Sequence, residues 1–172
     1  MEINCGEFML RPLQIEDAQS IAKYANNRKI WINLRDVFPH PYVLNDALNF
    51  IEFCLVAETV VNFGIIVEDE CAGIIGFNYL PDVYGKTAEF GYWLGEPFWG
   101  KGIMTKAVKE FTEYIFREYA FIRIQSGVFE WNNASMRVLE KNGFKLEGIF
   151  GKSVFKDGQI IDEYKYSLLK NE

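Results

Sequence analysis

The sequence has one histidine and three cysteines among its 172 residues, and each scarcity excludes something. Cys5, Cys54 and Cys71 are odd in number, and no CxxC occurs. Neither a disulfide framework nor a zinc site is expected, and each cysteine reads as a small apolar residue. No Cys–His pair marks a thiol nucleophile. No metal-ligand spacing occurs, so no metal is expected. Long apolar runs are missing too. No stretch approaches ~20 apolar residues, and MEINCGEFML has neither a basic nor an apolar signal segment. The expected setting is cytoplasmic, with no membrane. Positive charge is in deficit: 18 basic against 24 acidic residues leave a net charge of −6. Such a chain has no general pull toward nucleic acid and mildly favours a cationic partner such as an amine. Repeats, low-complexity tracts and Pro/Gly/Ser linkers are also absent. One domain over residues 1–172 is expected.

Core material is plentiful: 49% of residues are apolar and 16% aromatic, so disorder is not expected. Phe8–Leu13 reads as a strand. Asp17 is placed to cap a helix over Ala18–Asn26. Trp31–Tyr42 is too rich in large apolar residues for a flexible linker and reads as an ordered loop. Asn45 or Asp46 is placed to cap a second helix through Glu58, with Ala47, Phe50, Ile51, Cys54 and Leu55 as its apolar stripe. Asn62–Glu68 and Ala72–Tyr79 form a hairpin pattern, and Lys86–Leu94 is a third strand of that group. A long helix follows over Ile103–Tyr119, its apolar positions recurring at three and four. Ile122–Val128 is a strand, and Asn133–Lys141 is a short helix ended by Asn142-Gly143. Phe144–Phe155 and Ile160–Leu168 close across an Asp157-Gly158 turn. The order predicts a mixed α/β (α+β) sheet with about four helices.

The turn Trp99-Gly100-Lys101-Gly102-Ile103-Met104-Thr105 joins a strand to the long helix. Two glycines there allow positive φ and a close ligand approach. Free N–H groups and the helix dipole converge on the same point, which suits a pyrophosphate. Lys101 and Thr105 are further donors. The P-loop spacing is absent, and no third glycine completes a dinucleotide fingerprint. On its own the turn fits either a phosphate-bearing ligand or a purely structural role.

Four separated blocks carry a wider likeness. They are Leu10-Arg11-Pro12-Leu13 with Glu16-Asp17-Ala18; Phe38–Tyr42 with Asp46-Ala47; Glu89–Leu94 with Trp99–Ala107; and Asn132–Phe144. In this order they resemble the GNAT-type N-acetyltransferases. The branch they are most similar to contains the ribosomal-protein N-terminal (alanine/serine) acetyltransferases. The resemblance implies a seven-stranded sheet whose fourth and fifth strands splay around acetyl-CoA. Trp93 and Leu94, beside a β-bulge, would pair with the pantetheine arm. The Trp99–Thr105 turn (Trp99, Gly100, Lys101, Gly102, Ile103, Met104, Thr105) would hold the pyrophosphate, and Asn132 and Ser135 would touch the arm. Trp99 replaces the usual Gln or Arg, as is common in this branch. Met104 replaces a smaller residue but keeps its backbone N–H.

Acetyl transfer to an amine needs a route for the ammonium proton, a polarised thioester carbonyl and a proton for the leaving thiolate. The family's usual tyrosine acid falls at Leu139, so it is excluded here. Ser135 matches the serine suspected in this branch, although a serine near a helix start also serves as a cap. Glu89 is the best strand carboxylate for a base. His40 suits a base near neutral pH and lies in the loop expected beside the acceptor. Tyr92, Trp31 and Tyr42 read as core or pocket-wall aromatics. The acceptor is expected to be a protein N-terminus or a small-molecule amine. A non-catalytic acyl-CoA-binding or sensor protein is the alternative. Either a monomer or a homodimer fits.

Overall fold

The computed structural model describes residues 2–58 and 60–170. Alternating polar and apolar side chains build one sheet of eight strands, in the order β1-β2-β3-β4-β5-β6-β8-β7. The strands are β1 (Ile3–Asn4), β2 (Met9–Pro12), β3 (Val60–Val67), β4 (Glu70–Tyr79), β5 (Thr87–Leu94), β6 (Arg123–Phe129), β7 (Lys145–Lys156) and β8 (Gln159–Leu169). The helices are α1 (Ala18–Ala25), α2 (Arg28–Trp31), α3 (Leu44–Val56), α4 (Ile103–Glu118) and α5 (Asn133–Lys141).

The sheet has eight strands rather than seven because the N-terminal segment folds back on itself. Ile3 pairs with Leu10 and Asn4 with Met9, around Gly6 at φ 82°. The extra helix is a single turn, α2, whose Lys29 N–H donates to the Asn27 side chain at 2.8 Å. Two capping expectations are corrected. Asp17 does not cap α1, because its buried carboxylate accepts from the Arg11 guanidinium and the Gln14 N–H. Asp46 sits one turn inside α3 and accepts from the Val43 N–H at 2.8 Å. The α3 stripe is narrower than expected: Ala47 and Ile51 are buried, while Leu55 is exposed.

Strand alternation sends two cores to opposite faces of the sheet. Ala88, Phe90 and Leu94 of β5 join Ala107, Val108, Phe111 and Ile115 of α4 in one core. Ile66 and Ile74 join Ile21 of α1 and Ile51 of α3 in the other, with Trp93 packed against it. Thus Glu89, Gly91 and Trp93 face the α1–α3 side.

One feature of the sheet positions the site. β5 and β6 run parallel and pair only through Thr87–Arg123, Ala88–Ile124 and Glu89–Gln125. Beyond that point they diverge. β5 continues against β4 as far as Leu94, and β6 continues against β8 as far as Phe129. The facing edges of Phe90–Leu94 and Ser126–Phe129 therefore keep unpaired backbone groups. The β-bulge expected near Trp93 is absent. Trp93 and Leu94 pair with Ile74 and Gly73 in unbroken register, leaving no extra residue to bulge.

Candidate active site

The open edge of β5 leads through one 3-10 turn, Glu96–Phe98, to the glycine turn. The Trp99 indole N–H donates to the Leu94 carbonyl at 2.7 Å and ties the turn to the strand end. Gly100 and Gly102 have φ of 75° and 77°, a region that other residues rarely adopt. Gly102 is the N-cap of α4, and no side chain caps that helix. The first helical N–H groups therefore have no side-chain cap, and the helix dipole lies behind them. A side chain at either glycine would meet nothing within 4 Å, so the space above the turn is open. This donor set fits the pyrophosphate of acetyl-CoA. The splayed edges fit its extended amide arm, because unpaired strand groups accept an added strand.

On the other side of the gap, Asn132 is the N-cap of α5 and accepts from the Ser135 N–H at 3.2 Å. The cap is therefore Asn132, and Ser135 is free of that duty. The Ser135 hydroxyl lies 2.8 Å from the Tyr92 hydroxyl across the splay. Tyr92 also donates to the Ser135 carbonyl at 3.3 Å. Burial pushes the Tyr92 phenol well above its ordinary range, and the Ser135 hydrogen bond only partly offsets this. Tyr92 therefore stays protonated at neutral pH. Leu139 is fully buried in the core.

A cleft of about 1010 Å³ connects these parts. Its lining includes Trp93, Leu94, Trp99, Gly100, Gly102, Ile103, Met104 and Thr105 from one side, and Asn132 and Ser135 from the other. Glu89 lines it too, and the Gln125 side-chain amide donates to its carboxylate at 2.7 Å. Two expected residues are not in the lining. The Lys101 ammonium lies 5.6 Å over the Phe98 ring. His40 is exposed and stacks on Trp31, with ring centroids 5.7 Å apart. Among the described residues, no group of three or more His, Cys, Asp or Glu is placed to hold a metal ion.

The family model for the acetyltransferase (GNAT) domain matches residues 7–145. The chain belongs to the GNAT acetyltransferase family. Members move an acetyl group from acetyl-CoA to an amine, and this chain is an acetyltransferase of that kind. It is 32% identical to the uncharacterized N-acetyltransferase p20 of Bacillus licheniformis, over 95% of this chain and 93% of that one. It is 33% identical to the ribosomal-protein-serine acetyltransferase of Escherichia coli, over 61% of this chain and 58% of that one. Among solved structures, it matches the microcin C7 self-immunity acetyltransferase MccE, determined with acetyl-CoA and AMP. That match has a TM-score of 0.84 at 27% identity and covers 95% of this chain and 93% of that one.

In this GNAT acetyltransferase, two residues of the site escaped sequence reasoning. Tyr92 read as a wall aromatic, but its hydroxyl is the partner of Ser135. Gln125 carried no signal, because its tie to Glu89 exists only through the parallel β5–β6 register. A polar group on a strand at the splay was the only available clue to either.

Proposed function

We propose that this enzyme holds acetyl-CoA between β5 and β6, with its pyrophosphate on the Trp99–Thr105 turn, and acetylates a primary amine by direct attack. The observation that carries this reading is the splay. It leaves two unpaired strand edges, of which the β5 edge runs on to an uncapped helix start, with Ser135 and Glu89 lining the same cleft.

The amine lone pair attacks the thioester carbonyl carbon. The C–N bond forms, the C–S bond breaks, and the sulfur leaves as a thiolate. Ser135 passes a proton to that sulfur and regains one from Tyr92, and the proton that the nitrogen sheds as the amide forms returns through water to Tyr92. A serine hydroxyl alone is a poor acid, so the 2.8 Å contact with Tyr92 supports a shared role. Glu89, oriented by Gln125, takes the proton lost by the ammonium, directly or through water. His40 has no part in this route, given its exposed place against Trp31.

The acceptor is a protein N-terminus or a small-molecule amine. The named activity of the ribosomal-protein relative supports a protein acceptor. The chain works as one acetyltransferase domain in the cytoplasm, where its three free thiols suit a reducing setting. The test is mass spectrometry of a panel of peptides and amines incubated with acetyl-CoA, alongside thiol release. Acetylated product with equimolar thiol supports the reading. Saturable acetyl-CoA binding without any product contradicts it.

A further inference from the structure

The α1–α3 face of the sheet carries a row of missing side chains. Asn62 of β3 pairs with Gly76 of β4, and Gly76 pairs with Gly91 of β5. Across the splay, Gly127 lies two residues beyond Gln125, as Gly91 lies two beyond Glu89. Gly127 then pairs with Lys165 of β8. Asn62, Gly76, Gly91, Gly127 and Lys165 all line the cleft.

The two outer glycines are covered. A side chain at Gly76 would come within 2.1 Å of the Asn62 amide oxygen. One at Gly127 would come within 2.1 Å of a Glu163 carboxylate oxygen and 2.9 Å of the Lys165 ammonium. Only Gly91 is bare, with nothing within 4 Å. The result is a trough floored by the Gly91 backbone. The Asn62 amide forms one bank, and a Glu163–Lys165 pair, 3.1 Å apart, forms the other. The pair is mostly withdrawn from bulk water, with side chains 21% and 28% exposed, which strengthens its charges.

We infer that the Glu163–Lys165 pair, seated on Gly127, recognises the acceptor, and that the acceptor is an α-amine beside a carbonyl: an amino acid or a peptide N-terminus. This rests on the acetyltransferase reading above. The ammonium of such an acceptor donates to Glu163, and Lys165 donates to the adjacent carbonyl or carboxylate oxygen. A polyamine finds one carboxylate in this pair and Glu89 elsewhere in the cleft, but it meets repulsion from Lys165 and from Arg35, which also line the cleft. A simple alkylamine leaves Lys165 without an oxygen. Gly127 is essential to the arrangement because any side chain there occupies the seat of the pair.

The experiment measures kcat and KM for tripeptides with free N-termini, a simple alkylamine and spermidine. It uses the wild type and Glu163→Gln, Lys165→Met and Gly127→Ala. Gly127 has no positive φ, and the atoms in the way are flexible tips, so Gly127→Ala should fold. The wild type is expected to prefer tripeptides. Glu163→Gln should raise KM for every amine by about tenfold, as expected for a lost charged hydrogen bond. Lys165→Met should raise it for tripeptides only, and Gly127→Ala should act like both changes. Acetyl-CoA affinity and melting temperature should not move. Wild-type KM values in all three variants, or a wild-type preference for spermidine or the alkylamine, would overturn the inference and leave the acetyltransferase reading intact. A wild type that binds acetyl-CoA and acetylates nothing would overturn both.

Discussion

The hydroxyls of Tyr92 and Ser135 lie 2.8 Å apart, bridging β5 to α5 across the open part of the sheet. The two residues are 43 positions apart in sequence. If the pair serves the leaving sulfur, Ser135→Ala should lower kcat by about a hundredfold, in the range for lost proton transfer. Tyr92→Phe, which removes the hydroxyl that contacts both the Ser135 hydroxyl and its carbonyl, should cost about tenfold. Acetyl-CoA affinity should stay within a factor of about three in both. Steady-state kinetics with a binding titration will check this.

Gly102 begins α4 in a left-handed conformation. Gly102→Val forces a β-branched residue into that region and puts a side chain where the ligand would approach. Acetyl-CoA affinity should fall by at least about tenfold, while Gly102→Asn, tolerated in this conformation, should fall less. Calorimetry on proteins shown by circular dichroism to be folded will check both. Equal affinity in the Val variant contradicts the placement of the pyrophosphate.

Much of this turn is legible in the sequence. Strong periodicity and local caps fix α4 and α5 within a residue or so, and such signals are written in adjacent positions. The two-residue β1 and one-turn α2 were missed because elements that short carry no periodic signal. What sequence could not supply was pairing between distant residues. Glu89 with Gln125, Ser135 with Tyr92, and Glu163 over Gly127 all depend on which strands become neighbours. His40 shows the same limit from the other side. Its chemistry suits a base, but the fold stacks it on Trp31, outside the cleft lining.

Lys156 is 1% exposed, with its ammonium 3.6 Å from the Trp31 ring centre and 2.6 Å from the Asp36 carboxylate. It pins the tip of the β7–β8 hairpin to residues 32–38, most of which line the cleft. Lys156→Ala should destabilise the fold by about 2 kcal/mol, through the cavity and the lost contacts. It should also raise acceptor KM while leaving acetyl-CoA affinity unchanged. Thermal melts and kinetics will check the two effects separately.

The Arg123 guanidinium and the Ser167 hydroxyl hold the Glu147 carboxyl down at about 2. A depressed carboxylate stabilises the fold above its unfolded value of about 4.3. That contribution is lost as pH falls toward the folded value. Glu147 is partly exposed, so solvent screening limits the effect to less than about 1 kcal/mol. Glu147→Gln should therefore lower the melting temperature slightly at neutral pH and match the wild type near pH 2. A wild-type difference that persists at that pH contradicts the assignment.

Burial raises the thiols of Cys5 and Cys54 to about 11 and that of Cys71 to about 12. At pH 8 all three should react slowly with a disulfide reagent in the folded protein and rapidly once it is unfolded. A rapid reaction of any thiol in the folded protein contradicts this.

The central claim is acetyl transfer from a co-substrate held between β5 and β6. The most direct measurement is mass spectrometry of peptides and small amines incubated with acetyl-CoA and the wild-type enzyme, beside Ser135→Ala. The account predicts an N-acetylated product with one thiol released per acetyl group, at a rate that collapses in the variant. Tight acetyl-CoA binding with no acetylated amine, or an equal rate in the variant, would contradict it.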